Sequence, residues 1–150
     1  MKRKTRSTIL VLAVGTLFVT GITPVLLADE QCSQRSIAGD WGYTVTGTRL
    51  PVGPAASVGT VHFDRGGNLS GTQTLSIGGT IVQGEVLTGT ISVNPDCTGS
   101  SVLTVSNTPF PRVAHLDVVW VNSSNEFLAI FADAGLILTV DGKRIHHGND

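Results

Sequence analysis

The sequence predicts an all-β protein, a single antiparallel up-and-down eight-stranded β-barrel, with a two-sheet β-sandwich as the alternative. Three observations carry this. The 150 residues include 18 Gly and only 14% charged side chains, with abundant Thr, Ser and Val, a composition that favours strands over helices. Turn signals recur at the spacing of a meander. No helical periodicity follows residue 28, so short strands have to account for the whole core.

The first element is not part of the barrel. Lys2, Arg3, Lys4 and Arg6 precede an apolar run from Ile9 to Ala28, the pattern of a secretory signal peptide over residues 1–28 with cleavage after Ala28. A retained membrane anchor is the alternative, since about 20 apolar residues span a bilayer. Pro24 and the lack of a basic stop-transfer flank argue against it, so no stable membrane insertion is expected after cleavage. Residues 29–150 then form one secreted or periplasmic domain. Without the basic leader the chain carries six basic and eleven acidic residues, a net charge of −5, which excludes the concentrated basic surface that nucleic acid requires. The only two cysteines, Cys32 and Cys97, are expected to form a disulfide in such a compartment, with free buried thiols as the alternative.

Eight strands follow in order. Asp40 to Leu50 is the first, ended by Pro51-Val52-Gly53-Pro54, because two prolines in four residues cannot stay in a ladder. Ser57 to Asp64 is the second, stopped by Arg65-Gly66-Gly67-Asn68. In the third, Leu69 to Ile77, Leu69, Gly71, Gln73, Leu75 and Ile77 share one face and hydroxyl residues the other, the period-2 mark of one buried face. After Gly78-Gly79 the fourth runs from Ile81 to Val93, interrupted by Gly84 and Gly89, which permit bends and bulges. Asn94 to Gly99 turns into the fifth, Ser101 to Ser106. Asn107-Thr108-Pro109-Phe110-Pro111 breaks it before the sixth, Arg112 to Val121. The seventh is Glu126 to Asp133 and the eighth Leu136 to Val140, with Asp141-Gly142 ending it or beginning a last hairpin. Short connections favour a meander over Greek-key crossings, and closure removes the exposed edges of an open eight-stranded sheet.

Gly39-Asp40-Trp41 at the start of the first strand, with a basic residue, Arg144, after the last, gives this meander its one motif. In these features residues 37–145 resemble the calycin superfamily, whose lipocalins and avidin-like members begin with Gly-x-Trp. The resemblance implies that Trp41 closes the barrel floor under Arg144, with Gly39, Trp41 and Arg144 structural. The chain departs from lipocalins in lacking a clear Thr-Asp-Tyr segment and a C-terminal helix, and from biotin binders in lacking their ligand-contacting tryptophans. In overall pattern it is also similar to small exported bacterial barrels likened to the allene oxide cyclase barrel.

Candidate chemistry is sparse. Gln73, Gln83 and Glu85 fall among apolar residues of the third and fourth strands, with Gln83 and Glu85 assigned to the face carrying Ile81, Leu87, Ile91 and Val93. Polar groups on an otherwise apolar inward face orient a ligand in a barrel pocket. His115 and Asp117 share a face of the sixth strand with Val113, Val119 and Val121. A carboxylate beside an imidazole can orient its tautomer for general-base work, but no Gly-x-Ser-x-Gly elbow supplies a nucleophile. The same apolar face would also suit a ligand cavity or a homo-oligomer interface. Cys/His metal spacings are absent, so neither metal nor cofactor is expected. The expected function is a secreted barrel holding a small apolar ligand through Gln73, Gln83, Glu85, His115 and Asp117. A structural or surface-interaction scaffold is the alternative, and an isomerase- or cyclase-type enzyme the third.

Overall fold

Residues 32–146 are described by a computed structural model, so the expected signal peptide lies outside the described residues. The chain forms β1 (Gly39–Arg49), β2 (Gly53–Phe63), β3 (Asn68–Ile77), β4 (Thr80–Val93), β5 (Thr98–Ser106), β6 (Arg112–Val121), β7 (Glu126–Phe131) and β8 (Leu136–Arg144). Each strand pairs antiparallel with the next, and β8 returns to β1, Trp41 standing opposite Arg144 and Arg49 opposite Leu136. The sheet is therefore one closed up-and-down barrel and not a two-sheet sandwich.

Alternation explains the closure. On β6, Ala114, Leu116, Val118 and Trp120 point inward while Val113, His115, Asp117, Val119 and Val121 point outward. The inward rows of all eight strands make one core that includes Trp41, Phe63, Leu87, Val105 and Phe127. Four strand glycines that each precede a threonine, Gly47, Gly59, Gly71 and Gly89, sit where an added Cβ would meet the backbone of the neighbouring strand, which lets the wall curve tightly.

Several boundaries differ from the expectation for identifiable reasons. β2 starts at Gly53, so Pro54 belongs to a strand, opposite Thr48; it is exposed near the strand's end, and its carbonyl accepts from Gly78 N at 2.9 Å. β8 continues through Asp141-Gly142 to Arg144 because Gly142 serves packing rather than turning: the Phe127 ring fills the space a Cβ would take. A single helical turn, α1 (Gln34–Ile37), was not signalled by periodicity. It is closed by a capping box in which Ser33 Oγ accepts from Ser36 N at 3.2 Å and Ser36 Oγ from Ser33 N at 3.0 Å.

This turn covers one end of the barrel. Cys32 and Cys97 form the disulfide, tying the segment before α1 to the β4–β5 turn across 65 residues. In the chain-entropy account a loop of that length stabilises by about 4 kcal/mol. Replacing both cysteines by serine is expected to lower the urea-unfolding free energy by about that amount. A loss under about 1 kcal/mol would show that the staple adds little to a barrel already closed by its ladders.

Candidate functional site

The two ends of the barrel are built differently. At the α1 end, Trp41 is fully buried against Phe63 and Phe127, with ring centroids 6.0 and 5.4 Å away. Its Nε1 donates to Ile37 O at 2.9 Å. The Arg144 guanidinium lies 4.6 Å from the centre of the Trp41 ring and donates to Ala38 O (2.7 Å), Ser36 O (2.6 Å) and Ser124 O (3.0 Å). Burial lowers the Arg144 pKa from its ordinary value. This end is a sealed floor, and Gly39, Trp41 and Arg144 all belong to it.

Toward the other end a polar layer crosses the lumen. Its centre is Glu85, whose side chain has no exposed surface. Arg112 grips both carboxylate oxygens, Nη1 to Oε1 at 2.9 Å and Nη2 to Oε2 at 3.0 Å, a bidentate pairing. Thr108 Oγ1 donates to Oε1 at 2.6 Å, and Gln73 Nε2 donates to Oε2 at 2.6 Å. Gln73 Oε1 in turn accepts from Tyr43 OH at 2.8 Å and Ser57 Oγ at 3.1 Å. Burial alone would raise the Glu85 pKa, but the hydrogen bonds from Arg112, Thr108 and Gln73 outweigh it and hold the carboxyl below its usual value. Tyr43 is pushed well above the ordinary phenol value, first by burial and then by the Glu85 charge.

A chamber of about 80 Å³ lies inside the barrel, walled by apolar side chains such as Leu69, Leu103, Leu116 and Val118 and touched by Tyr43, Gln73, Ser101 and Arg112. Space remains because inward positions around Leu103 are small: its strand partners are Gly89 and Ala114. A second space of about 290 Å³ extends to the rim near Arg49, Leu136 and Asp133, and shares Val45, Gln73, Arg112 and Phe131 with the first. The polar layer stands where the two meet.

Of the candidate ligand residues, Gln73 and Glu85 come together in this layer, and Gln83, His115 and Asp117 do not. Gln83 is exposed on the outer wall because β4 bulges. Gln73 pairs with Glu85 and Leu75 with Val82, so Gln83 and Gly84 together oppose Thr74, and Ile81 and Gln83 change face. Gly84 takes φ +69° there, a conformation glycine adopts without strain, and its carbonyl accepts from Asn107 Nδ2 at 2.8 Å. His115 and Asp117 lie outside, since the inward row of β6 is the one carrying Leu116. His115 Nδ1 instead meets Asp133 Oδ1 at 2.8 Å, and Asp133 Oδ2 accepts from the His115 backbone at 2.8 Å, which lowers the Asp133 pKa. A catalytic cluster of His115, Asp117 and Glu85 is therefore not assembled, the first two being on the outer wall and the third in the lumen.

The residues missed were Tyr43, Ser57, Thr108 and Arg112. Arg112 carried a readable signal: it heads the apolar row Ala114, Leu116, Val118 and Trp120, as Glu85 stands in the apolar row of β4, and two opposite charges on inward faces imply a pair. Among the described residues no group of three or more His, Cys, Asp or Glu could hold a metal ion, and no helix is long and apolar enough to cross a membrane. Comparison with protein-family models finds no match, and comparison with curated proteins finds none either, leaving the chemistry of this interior as the guide to function.

Proposed function

We propose that this protein is an exported β-barrel that binds a small, mainly apolar molecule in its interior. The observation that carries the reading is the apolar inner chamber, floored by Phe63 and Phe127 and leading past Arg112 to a second space at the rim. Ligand pockets combine apolar walls with a few convergent polar groups, the arrangement found here. The inner chamber alone suits a single ring or a short chain; the rim space accommodates what extends beyond it. The disulfide fits an oxidising location outside the cytoplasm.

Titration with N-phenyl-1-naphthylamine tests this. A saturable fluorescence rise at one site per chain is expected, and Leu103→Trp, which fills the inner chamber, should lower affinity by about tenfold or more, the equivalent of about 1.4 kcal/mol. Absence of saturable binding, or an unchanged affinity in Leu103→Trp with a native circular dichroism spectrum, would overturn the reading.

The outer wall favours a second, compatible reading, self-association through β6 and β7. Val113, Val119, Val121, Leu128 and Ile130 are all exposed there, with Val119 directly opposite Leu128. Sedimentation showing a monomer at all concentrations would dismiss it.

A further inference from the structure

Hydrogen-bond valence in the polar layer narrows the ligand's chemistry. An ionised carboxylate offers about four acceptor sites, and an amide oxygen two. Glu85 receives four hydrogen bonds, two on each oxygen. Gln73 Oε1 receives two, from Tyr43 and Ser57. The strong acceptors of the layer are thus fully used.

Its donors are not. A guanidinium has five N–H groups. Arg112 uses three, two toward Glu85 and one from Nη1 to Phe110 O at 2.9 Å. The Nε hydrogen and the second Nη2 hydrogen meet no acceptor among the described residues, and the Arg112 side chain keeps 20% exposure where it borders both spaces. Gln73 Nε2 also has one hydrogen beyond the one given to Glu85. The donors left over in the layer thus belong to Arg112 and Gln73, two residues that line both spaces.

The charge balance adds a second constraint. Arg112 and Glu85 neutralise one another, so the layer has no net charge. An anion entering at Arg112 would be a third buried charge beside a pair that is already neutral, a costly arrangement. A hydrocarbon with no acceptor would leave the spare donors without partners.

Resting on the interior-binding reading above, we infer that the ligand is an uncharged molecule whose apolar body fills the inner chamber and whose single acceptor oxygen, a carbonyl or ether, takes the free N–H groups of Arg112. The site discriminates against the carboxylate analogue of the same shape as well as against the plain hydrocarbon. Glu85 sets this selectivity by occupying the cation internally.

Three single-ring probes of one shape test the inference by isothermal titration at pH 7: acetophenone, benzoate and ethylbenzene. The ketone is expected to bind about tenfold more tightly than the hydrocarbon, the worth of a hydrogen bond from a charged donor. It should bind about a hundredfold more tightly than the carboxylate, whose charge is uncompensated. In Glu85→Gln the order of ketone and carboxylate should reverse, because Arg112 then lacks its internal counter-ion. Wild-type protein that takes benzoate as well as the ketone, or ethylbenzene as well as the ketone, overturns the inference whatever the folding of the variant. Saturable phenylnaphthylamine binding with no preference among the three defeats the selectivity alone. If neither phenylnaphthylamine nor any of the three binds, the interior-binding reading falls with it.

Discussion

Arg112→Ala is expected to destabilise the protein by about 3–5 kcal/mol, the cost of removing one partner of a buried ion pair. The loss is large because of what stays behind. Glu85 has no exposed surface and would keep its charge with only Thr108 and Gln73 as donors. Replacing both charges, in Glu85→Leu/Arg112→Met, should be far milder, since apolar residues of similar volume often match or exceed a buried pair in stability by about 1–4 kcal/mol. Urea unfolding of the two singles and the double closes the cycle. If Arg112→Ala costs less than about 1 kcal/mol, water already solvates the pair and the layer is not a closed network.

The same pair gives the stability a predictable pH dependence. The folded-state pKa of Glu85 lies below its ordinary value of 4.5, so folding is favoured by the ionised form. That contribution is fully present above about pH 4.5 and is lost as pH falls through the lower folded value. Asp64, Asp96 and Asp133 are shifted in the same direction, by hydrogen bonds from Asn68, Thr98 and His115 respectively. Tyr43 works at the alkaline end with the opposite sign: its raised pKa contributes stability below pH 10 that is lost as pH climbs toward the folded value. Acid unfolding below about pH 4.5 should be less steep in Glu85→Leu/Arg112→Met than in the wild type.

The barrel itself was legible because alternation and turn residues are local signals. Leu69 to Ile77 shows its buried face in the sequence alone, and the structure keeps that face and its C-terminal bound while starting one residue earlier. Three features escaped because they depend on neighbours distant in the chain. The β4 bulge reverses the face of Gln83 and Ile81 relative to Glu85, and a period-2 reading carried across Gly84 cannot register an inserted residue. Asp141-Gly142 reads as a turn, but Phe127, fifteen positions upstream, needs that glycine within a strand. His115 has Asp117 two residues away on its own strand and takes Asp133 instead, because the β7–β8 connection carries that carboxylate back over β6. The site was half legible for the same reason: Glu85 and Gln73 announce themselves as polar residues in apolar rows, whereas Ser57 and Thr108 are ordinary hydroxyls until the barrel closes around them.

Trp41→Ala should cost about 3–5 kcal/mol, the range for truncating a fully buried aromatic side chain. Trp41 is in contact with both Phe63 and Phe127, which are 6.2 Å apart themselves, so its removal opens the floor between two rings that also wall the inner chamber. It also withdraws the face under Arg144 and the indole donor to Ile37 O. Arg144 keeps its bonds to Ser36, Ala38 and Ser124 and so continues to hold α1, which makes the ring's share separable from the cation's. Trp41→Phe retains a ring and should recover part of the loss; Arg144→Met retains bulk over Trp41 and removes three carbonyl partners together. If Trp41→Ala unfolds within about 0.5 kcal/mol of the wild type in urea, the floor is held by the disulfide and the ladders, and the ring is a filler. If the loss is as large as stated while Arg144→Met is milder, the start of the barrel is organised by its tryptophan, with the guanidinium acting as a clasp on the segment that precedes it.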